Sequence, residues 1–169
     1  MTTYPVLIGS NALKYYGYTE AVNDIDLIVT LENAKDLCFI SGKREGKMLF
    51  FTHDNKTIKV DLIYCDIEAN KYIYDICNKN YKTMTITIID NIQVILPPLE
   101  ILYMIKKSHI HRILNLTNNN QLNLEIWEKH MKMYSWMRSK LECNKMDIIL
   151  YGNSKYGELL DIENEVHYI

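Results

Sequence analysis

Three acidic residues and one glycine-serine pair carry the chemistry that can be read from this chain. Asp24 and Asp26 stand two apart in N-D-I-D-L-I-V, Asp61 lies inside T-I-K-V-D-L-I-Y, and Gly9-Ser10 closes the apolar run V-L-I. In an extended chain alternate side chains share a face. Asp24 and Asp26 therefore point one way, and Ile25, Leu27 and Val29 the other. Carboxylates held side by side repel unless a cation lies between them, and hard divalent ions such as Mg2+ take oxygen ligands of this kind. The competing reading is a solvated strand end at which both aspartates face water. Asp61 is costly in an apolar strand without a partner. If its strand lies beside the D-x-D strand, the three carboxylates converge.

Gly9 permits a tight turn because it lacks a Cβ. Ser10 suits the N-cap of a helix over about Asn11 to Tyr16, and Gly17 suits its stop. A helix start presents free N–H groups and a positive dipole end to a phosphate, although the same two residues also make an ordinary turn.

The elements that must position these groups follow from apolar periodicity. Strands are expected over Val6 to Ile8, Ile25 to Thr30, Lys47 to Thr52, Thr57 to Tyr64, Thr83 to Ile89 and Ile92 to Leu96. The second and third pairs of strands turn at 53–56 and at Asp90-Asn91 respectively. Helices are expected over Glu32 to Ile40 and over Asp66 to Asn78, the latter with Ile67, Tyr72, Ile73 and Ile76 inward. Ser41 to Gly46 reads as a charged loop, in which Lys43 and Arg44 are either solvated or aimed at a polyanion. Pro97-Pro98 ends the sheet region and places a boundary between residues 1–97 and a helical part, 98–169.

In that part, Leu99 to about His111 reads as a helix with Leu99, Leu102, Tyr103 and Ile110 on its apolar stripe. Lys106, Lys107, His109, His111 and Arg112 gather at its far end, where cations suit the helix dipole. His109 and His111 do not share a helical face, so they make no joint metal site there. A polar loop follows over Leu114 to Asn123. Leu124 to Leu141 is the longest expected helix, with Ile126, Trp127, Met131, Tyr134 and either Met137 or Arg138 inward and Lys129, His130 and Lys132 outward. The tail from Asn144 carries no chemistry.

A chain of 169 residues with a net charge of −2 can bury a core without disulfides and does not bind nucleic acid by bulk charge. Cys38, Cys65, Cys77 and Cys143 are scattered without a C-x-x-C pair, which excludes a zinc ribbon or disulfide framework and fits a reducing compartment. With no leader-like start and no long apolar run, the expectation is a cytoplasmic protein that does not use a membrane. Lysine outnumbers arginine, and Asn, Ile and Tyr are abundant. This is the signature of an AT-rich genome, viral or from a low-GC bacterium; if viral, the location is the host cytoplasm.

The order of strand, Gly9-Ser10, helix, Asp24-Ile25-Asp26 strand and later Asp61 strand resembles the nucleotidyltransferases of the DNA polymerase β-like fold. The likeness is strongest to the small stand-alone members, viral and toxin-type ones included. It covers roughly Tyr4 to Tyr64 by motif. It implies an α+β fold, with a mixed sheet, flanking helices and a C-terminal helical part. It also implies Mg-dependent transfer of a nucleoside monophosphate from a nucleoside triphosphate to a hydroxyl acceptor: an RNA or tRNA end, a protein or a small molecule. Asp24, Asp26 and Asp61 would be catalytic and would hold two Mg2+ ions, or Mn2+ in their place. Gly9 and Ser10 would hold phosphates, with Lys14 and one of Lys106 and Lys107 meeting the triphosphate. Many relatives carry a basic residue directly after Gly-Ser, where this chain has Asn11-Ala12-Leu13, and a serine before D-x-D, where it has Asn23.

Two other readings remain. One is a catalytically silent binding or regulatory module, against which the intact triad argues. The other is a metal-dependent nuclease or phosphatase, which needs no Gly-Ser cradle.

Overall fold

The computed structural model describes residues 3–20, 24–41, 43–66, 68–79, 83–117 and 124–141. The chain forms two compact units, Met1–Pro98 and Leu99–Ile169. The first is built on a seven-stranded mixed sheet.

Its centre comes from sequence runs that are apolar on both faces, as strands covered on both sides require. They are β1 (Val6–Ile8), β2 (Ile25–Val29) and β7 (Gln93–Leu96). Val6, Leu27, Val29 and Val94 are fully buried. Around them lie β3 (Arg44–Glu45), β4 (Met48–His53), β5 (Lys56–Tyr64) and β6 (Met84–Thr87), giving the order β3-β4-β5-β2-β1-β7-β6. The β2–β5 and β1–β7 pairs are parallel and the others antiparallel.

The hairpin between β4 and β5 turns on Asp54 and Asn55, both at positive φ (48° and 60°). That is the two-residue turn whose twist matches the strands. β3 replaces part of the expected charged loop. It is a two-residue edge strand, fully exposed, and charged side chains on an edge discourage further pairing. Its cations are engaged locally: Lys43 pairs with Glu45 at 3.2 Å, and Arg44 donates to the Gly46 carbonyl at 2.7 Å and to the Tyr64 hydroxyl at 3.3 Å.

Three helices belong to the sheet unit: α1 (Gly9–Lys14), α2 (Leu31–Ser41) and α3 (Glu68–Lys79). Thr30 and Asn33 cap α2 reciprocally, the Asn33 N–H donating to Thr30 Oγ1 at 3.2 Å and the Thr30 N–H to Asn33 Oδ1 at 3.4 Å. Tyr74 of α3 donates to the same Asn33 oxygen at 2.6 Å. The inner face of α3 is Ile73, Tyr74 and Cys77. Tyr72 and Ile76, expected inward, are half-buried, and Ile67 lies outside the described residues. A single 3-10 turn, Ile89–Asn91, links β6 to β7.

The second unit contains α4 (Leu99–Thr117) and α5 (Leu124–Leu141). The α4 helix runs past the expected stop into the segment read as a polar loop. Lys106 and Lys107 therefore sit mid-helix rather than at its end. On α5 the buried residues are Met133, Tyr134, Met137 and Leu141, while Ile126 is 48% exposed. The Tyr103 and Tyr134 rings stack at 5.2 Å, with their hydroxyls 3.1 Å apart. Residues 118–123, the tail from Asn144 and Asn23 lie outside the described residues. Among the described residues no helix is long and apolar enough to cross a membrane.

Candidate active site

The site forms where β1 ends, β2 begins and β5 passes alongside. In the parallel β2–β5 register Asp26 stands directly opposite Asp61. Asp24 precedes β2 by one residue and shares the face of Asp26. The three aspartates thus lie together on one face of the sheet. Asp24 is exposed, and Asp26 and Asp61 are half-buried.

Gly9 explains why the first strand-helix turn comes so close. Ile8 pairs with Asp26 in the antiparallel β1–β2 register, so the next residue meets the Asp26 side chain. A Cβ on Gly9 would collide with the Asp26 carboxylate, lying 3.2 Å from its Cγ, and Gly9 itself has φ +72°. Both the backbone conformation and the space require glycine. Asn11 of α1 donates from its side-chain amide to the Asp24 carbonyl, tying the helix start to the D-x-D segment. At the other end of α1, the Tyr18 N–H bonds to the Leu13 carbonyl and the Gly17 N–H to the Lys14 carbonyl, both at 3.0 Å. These are the bonds of a Schellman stop at Gly17.

Ser10 does not cap α1. The helix starts two residues earlier than expected, at Gly9, the N-cap position falls on Ile8 without a side-chain bond, and Ser10 is only 5% exposed. What the turn offers a phosphate is backbone N–H. Lys14 is exposed in the last turn of α1.

One residue of the site was missed from the sequence. Lys59, two before Asp61 on β5 and on the same face, places Nζ 2.9 Å from Asp61 Oδ2 and 3.9 Å from Asp24 Oδ2. The hydrogen bond to Asp61 is the main cause that holds the Lys59 ammonium above its ordinary pKa; burial opposes it, and the charges of Asp61, Asp24 and Asp26 add to the rise. The spacing K-V-D was the available signal.

Lys106 and Lys107 belong to the second unit and are buried, not part of an exposed basic end. Lys106 Nζ lies 3.1 Å from His130 Nδ1, and Lys107 Nζ lies 5.8 Å from the Tyr103 ring centre. His130, expected outward, is half-buried. Burial first, then the charges of Lys106 and Lys129, lower its pKa to about 4. The neutral imidazole thus accepts from the lysine. His109 meets His130 edge to face at 6.0 Å.

Two thiols, Cys65 and Cys77, are unsuited to nucleophilic chemistry. Burial raises Cys77 to about 12, while burial together with Asp75 and Asp66 raises Cys65 to about 11; reactive thiols are lowered instead.

Among the described residues no group of three or more His, Cys, Asp or Glu side chains is arranged to hold a metal ion as it stands. The aspartates share their face with the Lys59 ammonium. The donor set still fits a hard divalent ion. All three groups are carboxylates, two of them face each other across a strand pair where like charges repel, and a cationic group is already drawn to Asp61 and Asp24.

A mixed seven-stranded sheet with flanking helices and a C-terminal helical part is the architecture of a nucleotidyltransferase-like α+β fold. A solved structure shares it: the crystal structure of an antigenic nucleotidyltransferase-like protein from Paracoccidioides brasiliensis. It matches with a TM-score of 0.52 at 12% sequence identity, over 96% of this chain and 82% of the other. At that identity the likeness concerns the fold. No protein-family model and no curated protein matches the chain.

Proposed function

We propose that the chain is a nucleotidyltransferase, moving a nucleoside monophosphate from a nucleoside triphosphate to a hydroxyl acceptor. The observation that carries this reading is the Asp26–Asp61 register, with Asp24 on the same face and the Gly9 turn against Asp26. In the reaction the acceptor oxygen bonds to the α-phosphorus, the α–β anhydride bond breaks, pyrophosphate leaves with the bonding electrons and the hydroxyl proton is released.

Asp24, Asp26 and Asp61 are the residues that would hold Mg2+, two ions in this reading, or Mn2+. Such ions supply charge stabilisation at the attacking and leaving oxygens. The protein's part is positioning. The rigid β2–β5 pair fixes two carboxylates, Asn11 anchors the segment carrying the third, and the N–H groups at the start of α1 offer donors to the phosphates. Lys14, exposed in the last turn of α1, is assigned to the triphosphate charge on resemblance.

The acceptor in this proposal is a hydroxyl of an RNA or tRNA end, a protein or a small molecule. A cytoplasmic setting is part of the same proposal. A second reading, a silent binding or regulatory module, draws on one observation: Lys59 already neutralises part of the acidic face. Thermal unfolding with Mg2+ and each nucleoside triphosphate, in the wild type and Asp26→Asn, separates them. The enzyme reading expects a stabilisation that requires both metal and nucleotide and disappears in the variant. A nucleotide shift that persists without metal and in Asp26→Asn favours the module.

A further inference from the structure

We propose that Lys59 is a built-in counter-ion of the acidic face, competing with a divalent cation for Asp24 and Asp61 and leaving them when the cation binds. This rests on the reading above in taking Asp24, Asp26 and Asp61 as the cation's ligands.

The geometry supplies the competition. Lys59 Nζ sits at hydrogen-bond distance from Asp61 Oδ2 and at ion-pair distance from Asp24 Oδ2, the oxygens a metal would use. A divalent ion there and an ammonium at the same oxygens would repel across a few ångströms. Without metal the arrangement is favourable, because Asp26 and Asp61 oppose each other across the strand pair and like charges so placed are destabilising. The Lys59 side chain is 34% exposed, and its flexible four-carbon stem lets the ammonium swing outward without disturbing β5. Displaced, it stays on the site's face as a cation beside the bound ion, within reach of an anionic part of the ligand.

Titration calorimetry with Mn2+ alone, without nucleotide and at low salt, tests this on the wild type, Lys59→Met and Lys59→Arg. Removing the competing charge at a partly screened site should tighten Mn2+ binding about tenfold in Lys59→Met, while Lys59→Arg, which keeps the charge, should stay within about twofold of wild type. In EDTA, Lys59→Met should unfold at a lower temperature than wild type and show a larger rise on adding Mn2+. Lys59→Gln gives the same readout should the methionine variant fail to fold. Equal or weaker Mn2+ binding by the neutral variants overturns the competition and leaves the carboxylates as ligands. No Mn2+ binding by wild type or any variant overturns the ligand set, and the inference with it.

Discussion

Gly9 is the residue at which conformation and chemistry meet. Replacing it with alanine forces a side chain into positive φ and into the Asp26 carboxylate. The expected cost is about 1–3 kcal/mol of stability, with Asp26 displaced from its place opposite Asp61. Denaturant unfolding measures the first effect and loss of metal-dependent nucleotide stabilisation the second. Asp26→Asn should behave in the opposite way on stability. It removes one of two facing charges, so the metal-free protein should not be destabilised, while nucleotidyl transfer should fall by more than about 100-fold, beyond what losing a supporting partner of a metal ligand costs. Transfer rates and thermal unfolding in EDTA check both. His130 gives a pH signature. Its folded pKa of about 4 lies below the ordinary histidine value, so as pH falls below about 6.5 the unfolded chain takes up a proton that the folded one does not. That stability is present in full above about pH 6.5 and is lost as pH falls towards 4, by about 1–2 kcal/mol after allowing for solvent screening. Urea unfolding at pH 7 and pH 4.5 should show a smaller difference in His130→Asn than in the wild type.

Elements differ in how far they could be read in advance. The β1, β2 and β5 strands were legible because apolar runs and period-two alternation reflect what they bury. Their pairing was not, since the β2–β5 contact joins residues 35 apart, as in Asp26 opposite Asp61, and no local pattern encodes that register. Ser10 reads as a cap, yet the helix starts at Gly9, because β1 delivers the chain against Asp26 and the glycine turn takes up the angle. Thr30-x-x-Asn33 is a capping signal that was present and unused. β3 has two residues and so no periodicity to read. Lys59 alternates with Ile58 and Val60 on the same side as Asp61, and that spacing puts it on the acidic face. On α4 the segment after Leu114 looked polar, and helix propensity is a weak prior against tertiary context. At the β4–β5 hairpin a firm prediction is available. Asn55 holds φ 60°, so Asn55→Gly should leave the fold intact and raise its stability by about 0.5 kcal/mol, while Asn55→Ala should lower it by about 1 kcal/mol. Thermal unfolding of both variants reads the sign.

The sheet unit has the topology of the nucleotidyltransferase-like fold and brings Asp24, Asp26 and Asp61 to one face beside the Gly9 turn. The helical unit carries two hydrogen-bonded pairs, Lys106–His130 and Tyr103–Tyr134; both tyrosines fall on the inward stripes that the spacing predicts, whereas His130 reads as outward from the sequence. Its polar groups are hydrogen-bonded to one another, so buried lysine here reads first as structure. The central claim is the transfer itself, and the most direct measurement uses paired labels. Wild type and Asp24→Asn/Asp26→Asn are incubated with Mg2+, total RNA and each nucleoside triphosphate, labelled once at the α- and once at the γ-phosphate. The account predicts that α-label enters RNA, or another acceptor, with wild type alone, while γ-label appears only in pyrophosphate. Label transferred from the γ position, or no transfer with any nucleotide and any acceptor, would contradict it.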